Sequence, residues 1–187
     1  MNDRIVGHKL SLAGLILLKR IPVGDARGSL ERLYCANVFA QLGIEKSLSQ
    51  INLTRTLHEG AVRGMHFQYP PHAETKIVSC LRGRVFDVAV DLRRDSPTFL
   101  RWHGEVLSPE DQNSLLIPEG FAHGFQALGD GCELLYFHTA AYSLAAEGGL
   151  KPTDPRIGIS WPLPISDLSA RDTNHPLVPS DFAGLDV

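Results

Sequence analysis

The run Val85 to Leu92 (VFDVAVDL) constrains this chain more than any other segment, because it alternates without a break. Phe86, Val88, Val90 and Leu92 fall on one face and Asp87, Ala89 and Asp91 on the other, a period that only an extended strand gives. A strand with one apolar and one acid-bearing face suits a sandwich or barrel whose lumen is partly polar. Lys76 to Leu81 leads into it across Arg82-Gly83. Further strand-like runs are Leu15 to Ile21, Leu48 to Thr54, Arg63 to Gln68, Arg101 to Leu107, Ser114 to Ile117, His123 to Ala127 and Glu133 to Thr139. Gly24-Asp25, Pro70-Pro71, Asp95-Ser96-Pro97, Pro118-Glu119-Gly120 and Gly129-Asp130-Gly131 punctuate them. With 17 Gly and 12 Pro in 187 residues, short strands at such spacing predict an all-β sandwich or barrel. Helix is expected only over Glu31 to Gln41 and as one turn at Pro109 to Gln112. The tail from Pro152, with Pro155, Pro162, Pro164, Pro176 and Pro179, is expected to wrap the body instead of extending a sheet. No repeat or linker interrupts the chain, so one domain over residues 1–187 is expected.

Hydrophobic residues at 43% and charged residues at 21% exclude a disordered chain. Eighteen Lys and Arg against 21 Asp and Glu give a formal charge of -3 with no basic stripe, so no nucleic-acid partner is expected. The longest apolar run, Leu10 to Leu18, is about half the length of a membrane helix. Lys19-Arg20 follows it with no small-x-small cleavage site, so no membrane association and a cytoplasmic location are expected. The same run would serve as an edge strand pairing between subunits. Cys35, Cys80 and Cys132 are widely spaced without a C-x-x-C pair, which argues against a disulfide framework and against a cysteine zinc site.

Polar groups concentrate in two glycine-flanked segments. In Arg63-Gly-Met-His-Phe-Gln, residues 64, 66 and 68 should share a side, and Pro118-Glu-Gly-Phe-Ala-His-Gly-Phe carries His123. If both strands face one lumen, His66 and His123 converge with Asp87 and Tyr136 from neighbouring strands. Histidine can take a proton near neutral pH and tyrosine can give one. A lone histidine in a strand is more often a satisfied structural residue, so the constellation carries the expectation.

Those segments, with Arg82-Gly-Arg-Val-Phe-Asp-Val-Ala-Val-Asp-Leu-Arg, Ser96-Pro-Thr-Phe and Ile117-Pro-Glu-Gly-Phe-Ala-His-Gly-Phe, resemble the dTDP-4-dehydrorhamnose 3,5-epimerases in order and spacing from about Gly24 to Asp172. The resemblance implies a cupin-type double-stranded β-helix (jelly-roll barrel), a homodimer, and a reaction without metal or other cofactor. It implies epimerisation beside the keto group of a nucleotide-linked 4-keto-6-deoxyhexose, the dTDP-linked sugar first among them. By motif, His66 matches the base, Asp172 the acid that pairs with it, and Tyr136 the group that returns a proton from the opposite face. Lys76 and Arg63 match cations of the sugar and phosphate region. Arg27 either joins the pyrophosphate or only closes a turn beside Asp25. Gln50 and Asn52 resemble a polar strand leading into the site. Tyr142 lies near the nucleotide base or is a packed aromatic. Asp87 and His123 either position the sugar or form a buried polar pair.

The chain departs from the family pattern in places. Ser29-Leu30 replaces consecutive phenylalanines, Leu116 an aromatic, Leu144 the proline of Y-x-P and Pro152 a tryptophan, and Gln50 to Gly60 differs in composition. Several of these remove stacking surfaces for a base, each worth roughly 0.5–1.5 kcal/mol, and leave the exact nucleotide and sugar open. Competing readings are a single-position epimerase or ketoisomerase, a metal-dependent cupin enzyme, and a non-catalytic sugar-nucleotide module. The metal reading is opposed by Gln68, a poor ligand where H-x-H is wanted.

Overall fold

The computed structural model describes residues 4–187. In chain order the elements are β1 (Ile5–Lys9), β2 (Ile16–Arg20), β3 (Val23–Asp25), β4 (Gly28–Leu30), α1 (Ala36–Gln41), β5 (Gln50–Thr56), β6 (Val62–Gln68), β7 (Lys76–Arg82), β8 (Val85–Asp91), β9 (Trp102–Leu107), β10 (Asn113–Ile117), β11 (Phe121–Ala127), β12 (Cys132–His138), β13 (Glu147–Gly149) and α2 (Ala170–Thr173). They build a six-stranded sheet, β1-β2-β10-β7-β12-β5, a five-stranded sheet, β13-β6-β11-β8-β9, and the separate hairpin β3-β4. The expected all-β class is therefore what the chain adopts.

Strand alternation sorts side chains into three layers. Val78, Cys80, Leu115, Ile117 and Leu134 meet Val85, Ala89, Phe121, Phe125 and Leu107 between the sheets. On the outer face of the five-stranded sheet, Val88, Val90, Leu92, Met65 and Ala122 are covered by Leu150 and by Ile157, Val178 and Leu185 of the tail. This is the wrapping that its prolines predicted. The outer face of the six-stranded sheet, with Ile16, Leu18, Ile77 and Phe137, packs under Phe39 of α1. The acid-bearing face of β8 thus points into the lumen, and its apolar face is buried by the tail.

Two local expectations differ from the structure, those for Glu31 to Gln41 and for Leu10 to Leu18, and the single turn expected at Pro109 to Gln112 is present. Helix begins only at Ala36, because Glu31 leaves the helical path to pair with the buried Arg20 (Nε–Oε1 3.0 Å). Pro109 to Gln112 forms a turn, closed by Gln112 N–H to Pro109 O at 3.2 Å, and Gln112 takes a φ of 52° to enter β10. Leu10 to Leu18 is not an edge strand. Its first half folds back through a turn at Ala13-Gly14 (Gly14 φ 84°), and β2 then lies between β1 and β10, so the edges of that sheet are β1 and β5.

The Ser96-Pro-Thr-Phe block closes a buried charge. The Asp91 carboxylate accepts from Arg93 Nε (2.9 Å) and Nη2 (2.7 Å), Ser96 Oγ (2.5 Å) and Thr98 Oγ1 (2.6 Å). Burial pushes its pKa up, but the bonds from Arg93, Ser96 and Thr98 outweigh burial and hold it below the ordinary carboxylate value. A depressed folded pKa adds stability that is present above the unfolded value and is lost as pH falls through the folded one. Denaturant titrations should therefore show stability dropping below about pH 4. Asp91→Ala, which removes the counter-charge of Arg93 and leaves it the bond to Ala13 O, should lose about 3–5 kcal/mol at neutral pH.

Candidate active site

A cavity of about 270 Å³ lies between the sheets, beside the edge strand β5 and its counterpart β6. His66, Arg63 and Gln68 of β6 and His123 and Phe125 of β11 line one wall. Asn52 and Thr54 of β5, Lys76 of β7, and Tyr136 and His138 of β12 line the other, with Glu74, Tyr142, Glu147 and Arg171 at its margins.

Strict alternation would put Arg63 on the opposite face of β6 from His66. The register explains why both face the cavity: His123 pairs with His66 and Phe125 with Arg63, so β6 carries one extra residue between them. Gly64 makes this irregularity possible. Its φ is 139°, and a Cβ there would lie 2.5 Å from Gly124 Cα.

His66 Nε2 lies 2.7 Å from Asp172 Oδ1. The carboxylate fixes the ring proton on that nitrogen and leaves the lone pair on the other. Asp172 is almost fully buried at the start of the short α2, where Ser169 Oγ accepts from its backbone N–H (3.0 Å). Burial raises the Asp172 pKa, but the bond and charge of His66, the Gly64 N–H and Ser169 outweigh it and bring the value below normal. Arg171 flanks the pair: its Nη2 lies 3.0 Å from His66 Nε2, a donor beside a donor once that nitrogen carries the proton, and its Nη1 is held by Glu147 at 2.9 Å. Behind it, the His175 ring meets His66 edge-on at 5.5 Å between centroids.

The facing wall is organised around Tyr136. Its ring lies edge-on to His123 (5.8 Å) and parallel to His138 (5.9 Å, 14°). Burial first, and then the negative charge of Asp87, push the phenol well above its usual pKa, so it keeps its proton at neutral pH. Lys76 Nζ donates to His66 O (3.3 Å) and lies 3.3 Å from Glu74 Oε1, while His138 Nδ1 lies 2.8 Å from Glu74 Oε2. These bonds hold the Glu74 carboxylate below its normal pKa against the burial that raises it.

The expected convergence of His66, His123 and Tyr136 is present. Asp87 sits behind the lining and holds His123 Nε2 at 2.8 Å. Gln50 is set back, bonding Asn52 Oδ1 (3.1 Å) and the Tyr142 N–H (3.0 Å). Tyr142 is half exposed at the mouth, with its hydroxyl on Glu147 Oε2 (3.0 Å). Arg27 is the exception: it lies on the exposed β3-β4 hairpin, away from this cavity, with Nη2 on Asp25 Oδ2 at 2.6 Å. Sequence reasoning missed Glu74, His138, Glu147, Arg171 and His175. Tyr136 and His138 share a strand face two residues apart, and Ser169-x-x-Asp172 has the spacing of a helix cap, so signals for His138 and for α2 were present.

The family model for dTDP-4-dehydrorhamnose 3,5-epimerase matches residues 9–180. The enzyme of that name from Salmonella typhimurium is 41% identical over 172 residues, covering 91% of this chain and 93% of its own. The chain belongs to this epimerase family. A dTDP-4-dehydrorhamnose 3-epimerase from Streptomyces niveus is 40% identical, covering 82% of this chain and 74% of its own. The structure of the dTDP-6-deoxy-D-glucose-3,5-epimerase of Legionella pneumophila in complex with dTDP-4-keto-L-rhamnose superposes with a TM-score of 0.89. It is 33% identical and covers 98% of this chain and 99% of that one. The epimerase accordingly has the cupin-type jelly-roll fold, and it is an isomerase. Among its described residues no helix is long and apolar enough to cross a membrane.

Proposed function

We propose that the epimerase inverts C3, C5 or both in a nucleotide-linked 4-keto-6-deoxyhexose, the dTDP-linked sugar first, without a metal. The observation that carries this reading is the opposition of His66 and Tyr136 across one cavity, on strands of facing sheets. The His66 lone pair takes the proton from the carbon beside the ketone, and Asp172 stabilises the imidazolium that results. The electron pair moves onto the carbonyl oxygen, where Lys76 meets the developing charge. Tyr136 then gives its proton to the same carbon from the far side, which inverts it. Arg63 and Arg171 suit the diphosphate. His123, held by Asp87, and Asn52, steadied by Gln50, orient the sugar. Tyr142 stands at the mouth on the nucleotide side.

The Gln68 amide supports a reaction without metal. Its nitrogen donates to His72 O (3.1 Å) and Ala141 O (3.3 Å), and its oxygen accepts from the Ser143 N–H (2.6 Å), so it has no role as a partner to His123 in a cupin metal set. Exhaustive chelation should leave turnover of the dTDP-linked keto sugar unchanged, and loss of turnover restored by one added ion would contradict this. Inversion at a single carbon is the second reading, favoured by the likeness to the Streptomyces niveus 3-epimerase. The epimerase is further taken to be a cytoplasmic homodimer. Its free cysteines Cys35, Cys80 and Cys132 suit a reducing compartment, and exposed Leu30, Ile51 and Leu53 suit a subunit contact.

A further inference from the structure

We infer that His66, Asp172 and His175 form a binding site for a zinc-class divalent ion, and that occupancy of this site switches the base off. Each of the three offers one ligand atom, a ring nitrogen or a carboxylate oxygen, and these atoms all lie within 4.8 Å of one another. Asp172 Oδ1 is the shared vertex, 2.7 Å from the first imidazole and 3.7 Å from the second. A tetrahedral zinc ion holds such atoms at about 2.0–2.2 Å from itself and hence roughly 3.3–3.5 Å from each other. The His175 pair already has nearly that spacing, and the His66 pair must open by less than about 1 Å. Two imidazoles with one carboxylate are the donor set of borderline transition ions, not of magnesium or calcium.

His175 supplies the independent observation. Its Nε2 is buried with no hydrogen-bond partner, although buried polar atoms are nearly always satisfied. The ring is held in place over Gly149, where a Cβ would lie 2.1 Å from it.

One group opposes the ion. The Arg171 guanidinium stands over the same three atoms, 3.0 Å from His66 Nε2 and 3.7 Å (Nε) from Asp172 Oδ1. It is half exposed and also bonded to Glu147, so it can leave the cluster without losing its counter-charge. Coordination through His66 Nε2 moves the ring proton to the other nitrogen, which removes the lone pair offered to substrate and takes Asp172 from the imidazolium. The inhibitory half of this inference rests on the role proposed above for His66; the binding half does not.

The test is a cobalt titration of the chelated, full-length epimerase, with zinc competition and parallel turnover assays. The wild type should develop a saturable visible spectrum of a four-coordinate ion that zinc abolishes, and zinc should inhibit over the same range. Arg171→Gln should bind about tenfold more tightly, because a competing cation is gone. His175→Gln should lose the spectrum, and its turnover, measured against its own metal-free rate, should resist zinc by about tenfold or more. The site is overturned if neither the wild type nor Arg171→Gln gives a saturable spectrum, or if His175→Gln binds like the wild type. Saturation without inhibition overturns the switch. Should His175→Gln not fold, the Arg171→Gln titration decides alone, since a site elsewhere would not respond to it. If no keto sugar is turned over at all, the spectrum still decides the binding half while the functional reading fails separately.

Discussion

His66→Ala is expected to lower turnover of the keto sugar by about 10²–10⁴-fold, the usual contribution of a positioned acid or base, while the unfolding midpoint stays close to wild type. The side chain is one-quarter exposed and faces a cavity, so its removal opens no sealed void. Asp172, buried behind it, does not become an orphaned charge. It keeps the Gly64 N–H at 3.3 Å and the Arg171 guanidinium at 3.7 Å. Loss of function and loss of stability therefore separate at this position. A His66→Ala protein with near-normal turnover would remove the imidazole from the chemistry, and one that fails to fold would move it to the scaffold.

Tyr136→Phe should have an effect of similar size on completed inversion, about 10²–10⁴-fold, with a different partition. The phenyl ring fills the same space between His123 and His138, so the wall keeps its shape. What disappears is the phenol of that wall, which burial keeps protonated. Proton loss to His66 needs none of this. The variant should still exchange the substrate's carbon-bound proton with solvent, returning it to the face it came from. Exchange and inversion should therefore uncouple in Tyr136→Phe and fall together in His66→Ala. Equal loss of both in Tyr136→Phe would mean that the phenol acts before the carbanion forms.

The layers of the fold were legible because they depend on period and punctuation. VFDVAVDL alternates over a strand whose two faces are both covered, and the prolines of the tail forbid it a place in a sheet. Elements too short to show a period were not legible: the β3-β4 hairpin, β13 and the four-residue α2. The site divides in the same way. His66, His123 and Tyr136 stand on strands that the sequence predicts, and their convergence on one lumen is what singled them out. Glu74 and His138 lie 64 positions apart and gain their meaning only when β7 and β12 pair. Arg63 faces the cavity through one extra residue in β6, a local shift that no alternation reveals. Arg27 shows the converse: a motif position can be matched while its side chain is engaged elsewhere within the same chain.

The most direct measurement is incubation with the dTDP-linked 4-keto-6-deoxyhexose in D₂O, reading deuterium position and configuration by NMR. Wild-type protein should incorporate deuterium at C3, at C5 or at both, inverted wherever label enters, with the ketone still at C4 and no label introduced by His66→Ala. Unlabelled sugar from the wild type, migration of the carbonyl, or full labelling by His66→Ala would contradict proton transfer between these two walls.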